Sequence, residues 1–233
     1  MSSDPRVYDE RFFDEQLSRS AQSAERIVPY VVNLVHPRSV CDVGCGTGAW
    51  ALEFARTGVN DYIGVDGYVE QAQLLIPPDR FQRMDLNGVI ELERRFDLAV
   101  CLEVAEHLRP ERAAGLVGDL VRLADVVLFS AAVPGQGGAA HVNERWQDYW
   151  AGLFAEHRYR AVDAIRPTFW EDPHVDWWYL QNSFLFVREG NDLLTRDWPA
   201  LPVRLIHPRA YQQARTLGKR TALRRLLGLP LRW

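Results

Sequence analysis

Four carboxylates and two histidines stand where they could do chemistry. Asp42, Asp66, Asp85 and Glu103 fall at the ends of four successive strand-like runs, and His107 and His141 follow the fourth and fifth runs. Asp42 lies two residues before Gly44, the first of three glycines at alternate positions, Gly44, Gly46 and Gly48. Glycine there lets the backbone turn sharply and lets a ligand come close, with no Cβ in the way. Gly44, Gly46 and Ala49 also satisfy the loose dinucleotide pattern G-x-G-x-x-[GA]. A pyrophosphate, however, would be repelled by a carboxylate at position 42. An acid suits a ligand that carries an ammonium group and no phosphate. Asp66, 22 residues beyond Gly44, is near the spacing at which an acid accepts from two ribose hydroxyls; a solvated turn aspartate is the plainer alternative.

The histidines suggest proton transfer. An imidazole titrating near neutrality is the usual agent for taking a proton from an attacking hydroxyl, and His141 and His107 are placed for it, a surface or core role being the ordinary alternative. Glu103, Glu106 and His107 are spaced so that a helix would put all three on one face. With His141 from the next loop they could hold a divalent cation through mixed oxygen and nitrogen ligands.

Regular elements must position these groups. Ser39–Val43 reads as a buried strand, the glycines as a tight turn, and Ala49–Arg56 as a helix stopping at Gly58. Further strands are expected over 61–67, 80–86, 95–102 and 124–130, with a helix over 110–123 and a closing antiparallel pair over 160–166 and 183–187. Alternating strands and helices predict a doubly wound α/β fold with a mostly parallel sheet. Ligands of such sheets bind beyond the carboxyl ends of the strands, where all four carboxylates fall. An amphipathic helix over 24–35 precedes the first strand and ends at His36-Pro37.

The stretch Asp42-Val43-Gly44-Cys45-Gly46-Thr47-Gly48 after a strand resembles the first motif of the class I S-adenosylmethionine-dependent methyltransferases. The resemblance extends over about residues 24–188. It implies a seven-stranded, Rossmann-like sheet and S-adenosylmethionine as methyl donor, with S-adenosylhomocysteine as product. It places Asp42, Gly44, Gly46, Asp66 and Glu103 around the donor, Asp85 at the adenine amino group and Leu86 beside the ring. It also makes residues 1–23 a lid in which Tyr8, Phe12 and Phe13 face the site, or staple the helix to the body. The E-x-x-E-H run is similar to that of certain metal-dependent O-methyltransferases, and it also occurs in many relatives that use no metal, where the glutamates cap the helix or meet the donor's methionine end. Residues 131–188, with His141-Val142-Asn143-Glu144-Arg145-Trp146, resemble enzymes that tailor sugars and natural products. The resemblance thus implies a small-molecule acceptor, with O-methylation of a sugar or phenolic hydroxyl ahead of methylation at carbon or nitrogen. A nucleotide-dependent oxidoreductase is the rival enzyme class, and a scaffold that only binds a partner is the third. The connection Asp172–Trp178 lacks helical periodicity and reads as the wall of an acceptor pocket or as packing.

Composition bounds the rest. At 233 residues, with 47% hydrophobic and 25% charged residues, the chain suits a globular domain over 24–200. Cys41, Cys45 and Cys101 have neither zinc spacing nor a disulfide pattern, which suggests a reducing cytoplasm. No signal region or membrane-length apolar run is evident. Net charge is −4, yet residues 203–233 carry eight Lys or Arg and no acid, leaving the body near −12. That balance argues against nucleic acid as a partner. The tail, 201–233, has the spacing of a basic amphipathic helix, suited to packing on the acidic body, to an acidic partner or a membrane, or to a homodimer.

Overall fold

The computed structural model describes residues 10–198 and 203–216, with side chains from residue 19 onward. The expected elements appear in order. Helix α1 (Glu10–Val35) leads into β1 (Ser39–Val43), α2 (Ala49–Arg56), β2 (Asp61–Asp66), β3 (Phe81–Arg83), β4 (Leu98–Leu102), α3 (Ala113–Leu123) and β5 (Val126–Ser130). Then follow α4 (Gln147–Glu156), β6 (Tyr159–Val162), the short helices α5 (Arg166–Phe169) and α6 (Trp177–Asn182), and β7 (Phe184–Arg188). Residues 208–216 are again helical.

The sheet has seven strands in the order β3-β2-β1-β4-β5-β7-β6. β1 to β5 are parallel, and β7 runs antiparallel to both β5 and β6. Its central strands are apolar on both faces because helices cover both, as parallel pairing requires. One face packs Ile27, Val28 and Val31 of α1 and Phe54 of α2 against Val40, Leu98 and Leu128. The other packs Leu116, Val117 and Leu120 of α3 and Trp150 and Phe154 of α4 against Cys41, Ala99 and Phe129. Phe154 and Phe186 stack with centroids 3.9 Å apart.

α1 is continuous through residues 23 and 24 and ends at Val35, where His36 turns with φ 52 before Pro37. The aromatic lid expected from Tyr8, Phe12 and Phe13 and the tail beyond residue 216 lie outside the described residues and side chains. One expectation is corrected. Residues 103–107 do not form one helical face. Glu103 has φ 53, and only Ala105–His107 make a single 3-10 turn. The left-handed residue lets the Glu103 N–H donate to the Ser130 carbonyl at 3.0 Å and hydroxyl at 3.1 Å, tying the exit of β4 to that of β5.

Candidate active site

The glycine turn follows β1 with Gly44, Gly46 and Gly48 at φ 75, 53 and 89, a region that side chains rarely occupy. The three glycines serve different ends. A Cβ on Gly44 would lie 2.3 Å from Val104 Cγ2, and one on Gly48 2.9 Å from Ile76 Cγ1, so both are packed from within. A Cβ on Gly46 would meet nothing within 4 Å, so its outer face is open to a ligand.

Asp66 closes β2 and braces this turn, its carboxylate accepting from the Gly46 N–H at 3.0 Å and the Tyr68 N–H at 2.8 Å. Asp42 lies beneath the turn, 4% exposed, and its Oδ2 has no hydrogen-bond partner. Burial, and then the nearby Asp66 charge, push the Asp42 pKa up to about 7. A buried carboxylate oxygen without a donor fits a site whose cationic ligand supplies one. Beyond β2 and β3, Gly67, Tyr68, Asp85, Asn87 and Arg109 line a cavity of about 440 Å³. Asp85 there accepts from the Asn87 N–H at 2.9 Å. Leu86 is 6% exposed and packs in the core below, beside Ile90 and Phe96. The resemblance did not point to Tyr68 or Arg109; Tyr68 follows β2 directly, and Arg109, from beyond β4, is tied to the cavity by its N–H, which donates to Asn87 Oδ1 at 3.2 Å.

Glu103 faces the β5 side. Its carboxylate accepts from Gln136 Nε2 at 2.9 Å and from Asn182 Nδ2 at 3.2 Å. Gln181 Nε2 in turn donates to Asn182 Oδ1 at 3.1 Å. Burial raises the Glu103 pKa against the pull of these donors. Gln136 and Asn182 carry no sequence signal, since they lie 33 and 79 residues from Glu103.

The histidines meet above β4 and β5, with ring centroids 4.8 Å apart and nearly perpendicular. His141 Nδ1 is 2.9 Å from Glu144 Oε1. The same carboxylate accepts from the N–H groups of Gly135 at 2.7 Å and Gly137 at 3.0 Å, so Glu144 folds the 131–145 loop around the ring. Gly138 makes room for it, as a Cβ there would fall 2.2 Å from His141 Nε2. Partial desolvation, then the neighbouring His141, hold the His107 pKa below its ordinary value. Glu106 is fully buried and both its carboxylate oxygens lack partners, so its pKa is held well above the usual range, first by burial and then by Glu103. One ligand atom each from Glu106, His107 and His141 lie within 4.8 Å of one another. Glu103 is not in that group.

The aromatic connection divides between core and cavity. Phe169, Val175 and Tyr179 pack in the core against α1 and α2, and Tyr179 stands edge-on to Trp50 at 5.1 Å. Pro173, His174 and Asp176 line a second cavity with residues of α1 and Arg209. Among the described residues no helix is long and apolar enough to cross a membrane.

Comparison with known proteins agrees with this geometry. A family model described as a methyltransferase domain matches residues 13–220. The chloroplastic magnesium protoporphyrin IX methyltransferase of Arabidopsis thaliana is 29% identical over 102 residues, 41% of this chain and 33% of that protein. The tRNA U34 carboxymethyltransferase of Marinobacter nauticus is 26% identical over 207 residues, 74% of this chain and 60% of that protein. The chain thus spans from about a third to three fifths of the length of these relatives. Among solved structures, Streptomyces venezuelae DesVI superposes with a TM-score of 0.58 at 14% identity, covering 81% of this chain and 100% of that one. Magnesium protoporphyrin IX methyltransferase (ChlM) from Synechocystis PCC 6803 with bound SAH gives 0.50 at 20% identity, covering 73% and 84%. At such identities these two likenesses are of fold. The open face of Gly46, the braced turn and the unpartnered Asp42 form a cleft that fits S-adenosylmethionine as methyl donor, and the family model, matching most of the chain, shows that it belongs to the methyltransferase domain family.

Proposed function

We propose that the chain O-methylates a hydroxyl of a small-molecule acceptor, a sugar or a phenol, with His141 as general base. The observation that carries this is the Glu144–His141 pair at 2.9 Å. A carboxylate can only accept, so Nδ1 holds a proton, and in the neutral ring this leaves the lone pair on Nε2 for the acceptor. In the transfer the acceptor oxygen bonds to the methyl carbon as the carbon–sulfur bond breaks, and the hydroxyl proton passes to Nε2. Such an in-line displacement depends on positioning. The 131–145 loop, closed by Glu144 and tied through Gln136 to Glu103, supplies it. A small acceptor also fits the acidic body, near −12 outside the tail, better than the tRNA named for the Marinobacter relative.

One observation favours a second reading. Glu106, fully buried with two partnerless oxygens beside His107 and His141, has the donor set of a divalent cation with mixed oxygen and nitrogen ligands. A cation held there would polarise an acceptor hydroxyl.

The deciding experiment is a mass-spectrometric screen of sugars and phenols with S-adenosylmethionine, repeated with a chelator. A methylated product formed equally in both supports the histidine base. Activity lost to the chelator and restored by Mg²⁺ favours the cation. Products carrying methyl only on carbon or nitrogen would overturn O-methylation.

A further inference from the structure

A second cavity, of about 290 Å³, is lined by Arg19 and Gln22 of α1, by Pro173, His174 and Asp176, and by Arg209. It shares no lining residue with the cavity lined by Gly67, Tyr68 and Asp85. Its lining is almost wholly polar. Among its lining residues two guanidiniums accompany one carboxylate, leaving an excess of positive charge in the lining.

Arg209 and the Asp176 turn are held in place by different parts of the fold. Arg209 is anchored by Nη2, which donates to the carbonyls of Asp172 at 3.2 Å and Val175 at 3.0 Å. The Asp176 N–H donates to Ser23 Oγ at 3.0 Å, fixing the turn to α1. The neighbouring Ser20 hydroxyl meets Tyr179 at 3.2 Å and accepts from Trp50 Nε1 at 3.0 Å. Asp176 Oδ2 is buried and has no partner. Burial pushes its pKa up to about 6, against the pull of Arg19 and Arg209. The cavity therefore offers cationic donors for an anion and, beside them, a carboxylate oxygen that lacks a donor.

We propose that this cavity is a binding site for a small polyhydroxylated anion, whose phosphate or carboxylate is taken by Arg19 and Arg209 and whose neighbouring hydroxyl donates to Asp176. The volume limits the ligand to about one monosaccharide with its charged group. This assignment stands apart from the identity of the methyl acceptor.

The test is calorimetric titration of the full chain, loaded with S-adenosylhomocysteine, with glucose 6-phosphate, glucuronate, inorganic phosphate and glucose. Saturable binding of at least one charged sugar, tighter than that of either phosphate or glucose, is expected; the better of the two names the anionic group. Arg19→Gln should weaken that binding about tenfold, the usual loss for one charge-assisted hydrogen bond. Asp176→Ala should weaken the sugar but not inorganic phosphate. Retained S-adenosylhomocysteine binding reports that each variant is folded, and Gln22→Leu serves in place of any that is not. Absence of saturable binding by both charged sugars, or binding unchanged in Arg19→Gln, overturns the assignment.

Discussion

Gly44 and Gly46 share a left-handed backbone yet should fail in opposite ways when given a methyl group. Gly46→Ala introduces a Cβ that touches no protein atom within 4 Å, at φ 53. Left-handed strain costs about 1–2 kcal/mol, partly offset by the stiffer unfolded chain, which favours alanine by about 0.4–1 kcal/mol. A net loss near 1 kcal/mol lowers the melting temperature of a domain this size by about 2–4 °C. The new methyl instead occupies the space left for the donor. An overpacking cost of about 1–3 kcal/mol weakens S-adenosylhomocysteine roughly 5- to 150-fold. Gly44→Ala carries the same strain and, in addition, forces its Cβ to within 2.3 Å of Val104 Cγ2. With overpacking added to the strain, the loss approaches about 2–4 kcal/mol, or about 4–16 °C. Thermal melts and titration calorimetry on the two variants separate the effects. If Gly46→Ala bound S-adenosylhomocysteine like the parent, the open face would not be the donor's. If the two variants melted together, Val104 would give way, and the packing argument would be wrong.

Asp42 makes donor binding depend on pH. Its raised native pKa, about 7, means that it must lose a proton to meet an ammonium group. Affinity should therefore rise up to tenfold per unit as pH climbs from 5 toward about 7, then level off, and Asp42→Asn should flatten the profile. In the empty protein the sign is opposite. The group binds a proton more tightly folded than unfolded, so its contribution to stability is full below about 4 and is lost as pH rises to about 7. Denaturant melts of Asp42→Asn at pH 5 and pH 8 should show a gain relative to the parent that is markedly larger at the higher pH. His141→Ala should lower kcat on the true acceptor by about 10²–10⁴ with donor affinity kept, and normal turnover would remove it from the reaction. Glu144→Gln should loosen the 131–145 loop as well as the ring, so hydrogen exchange at Gly135 and Gly137 should quicken alongside the loss of turnover.

What could be read in the sequence was what local chemistry dictates. β1 and α2 occupy the residues expected, because a buried apolar run, alternating glycines and a helical period leave few alternatives. β3 is shorter than expected, Phe81–Arg83, since pairing with Gly64–Asp66 on an edge sets its length and not its own composition. The 103–107 run departed from helical spacing because a tertiary contact, Glu103 with Ser130, outweighs it. Glu144 sits three residues from His141, so a carboxylate able to orient the imidazole was within sight of the motif. Gln136 and Asn182 were not, as their roles exist only once β4, β5 and β7 lie side by side.

The reversed direction of β7 has a consequence for how such a chain can diversify. Val162 and Leu185 are paired across β6 and β7, so the intervening stretch leaves and re-enters the sheet at neighbouring points. It is a closed excursion, and lengthening it adds only slowly to the entropy of loop closure. Because β7 starts where the parallel strands finish, that excursion delivers Asn182 to Glu103 while sharing no backbone with the donor turn. The stretch 163–184 can thus change in length and sequence while β1, β2 and the glycine turn stay as they are, provided the Phe169, Val175 and Tyr179 anchors and the buried Asp163–Arg166 pair are kept.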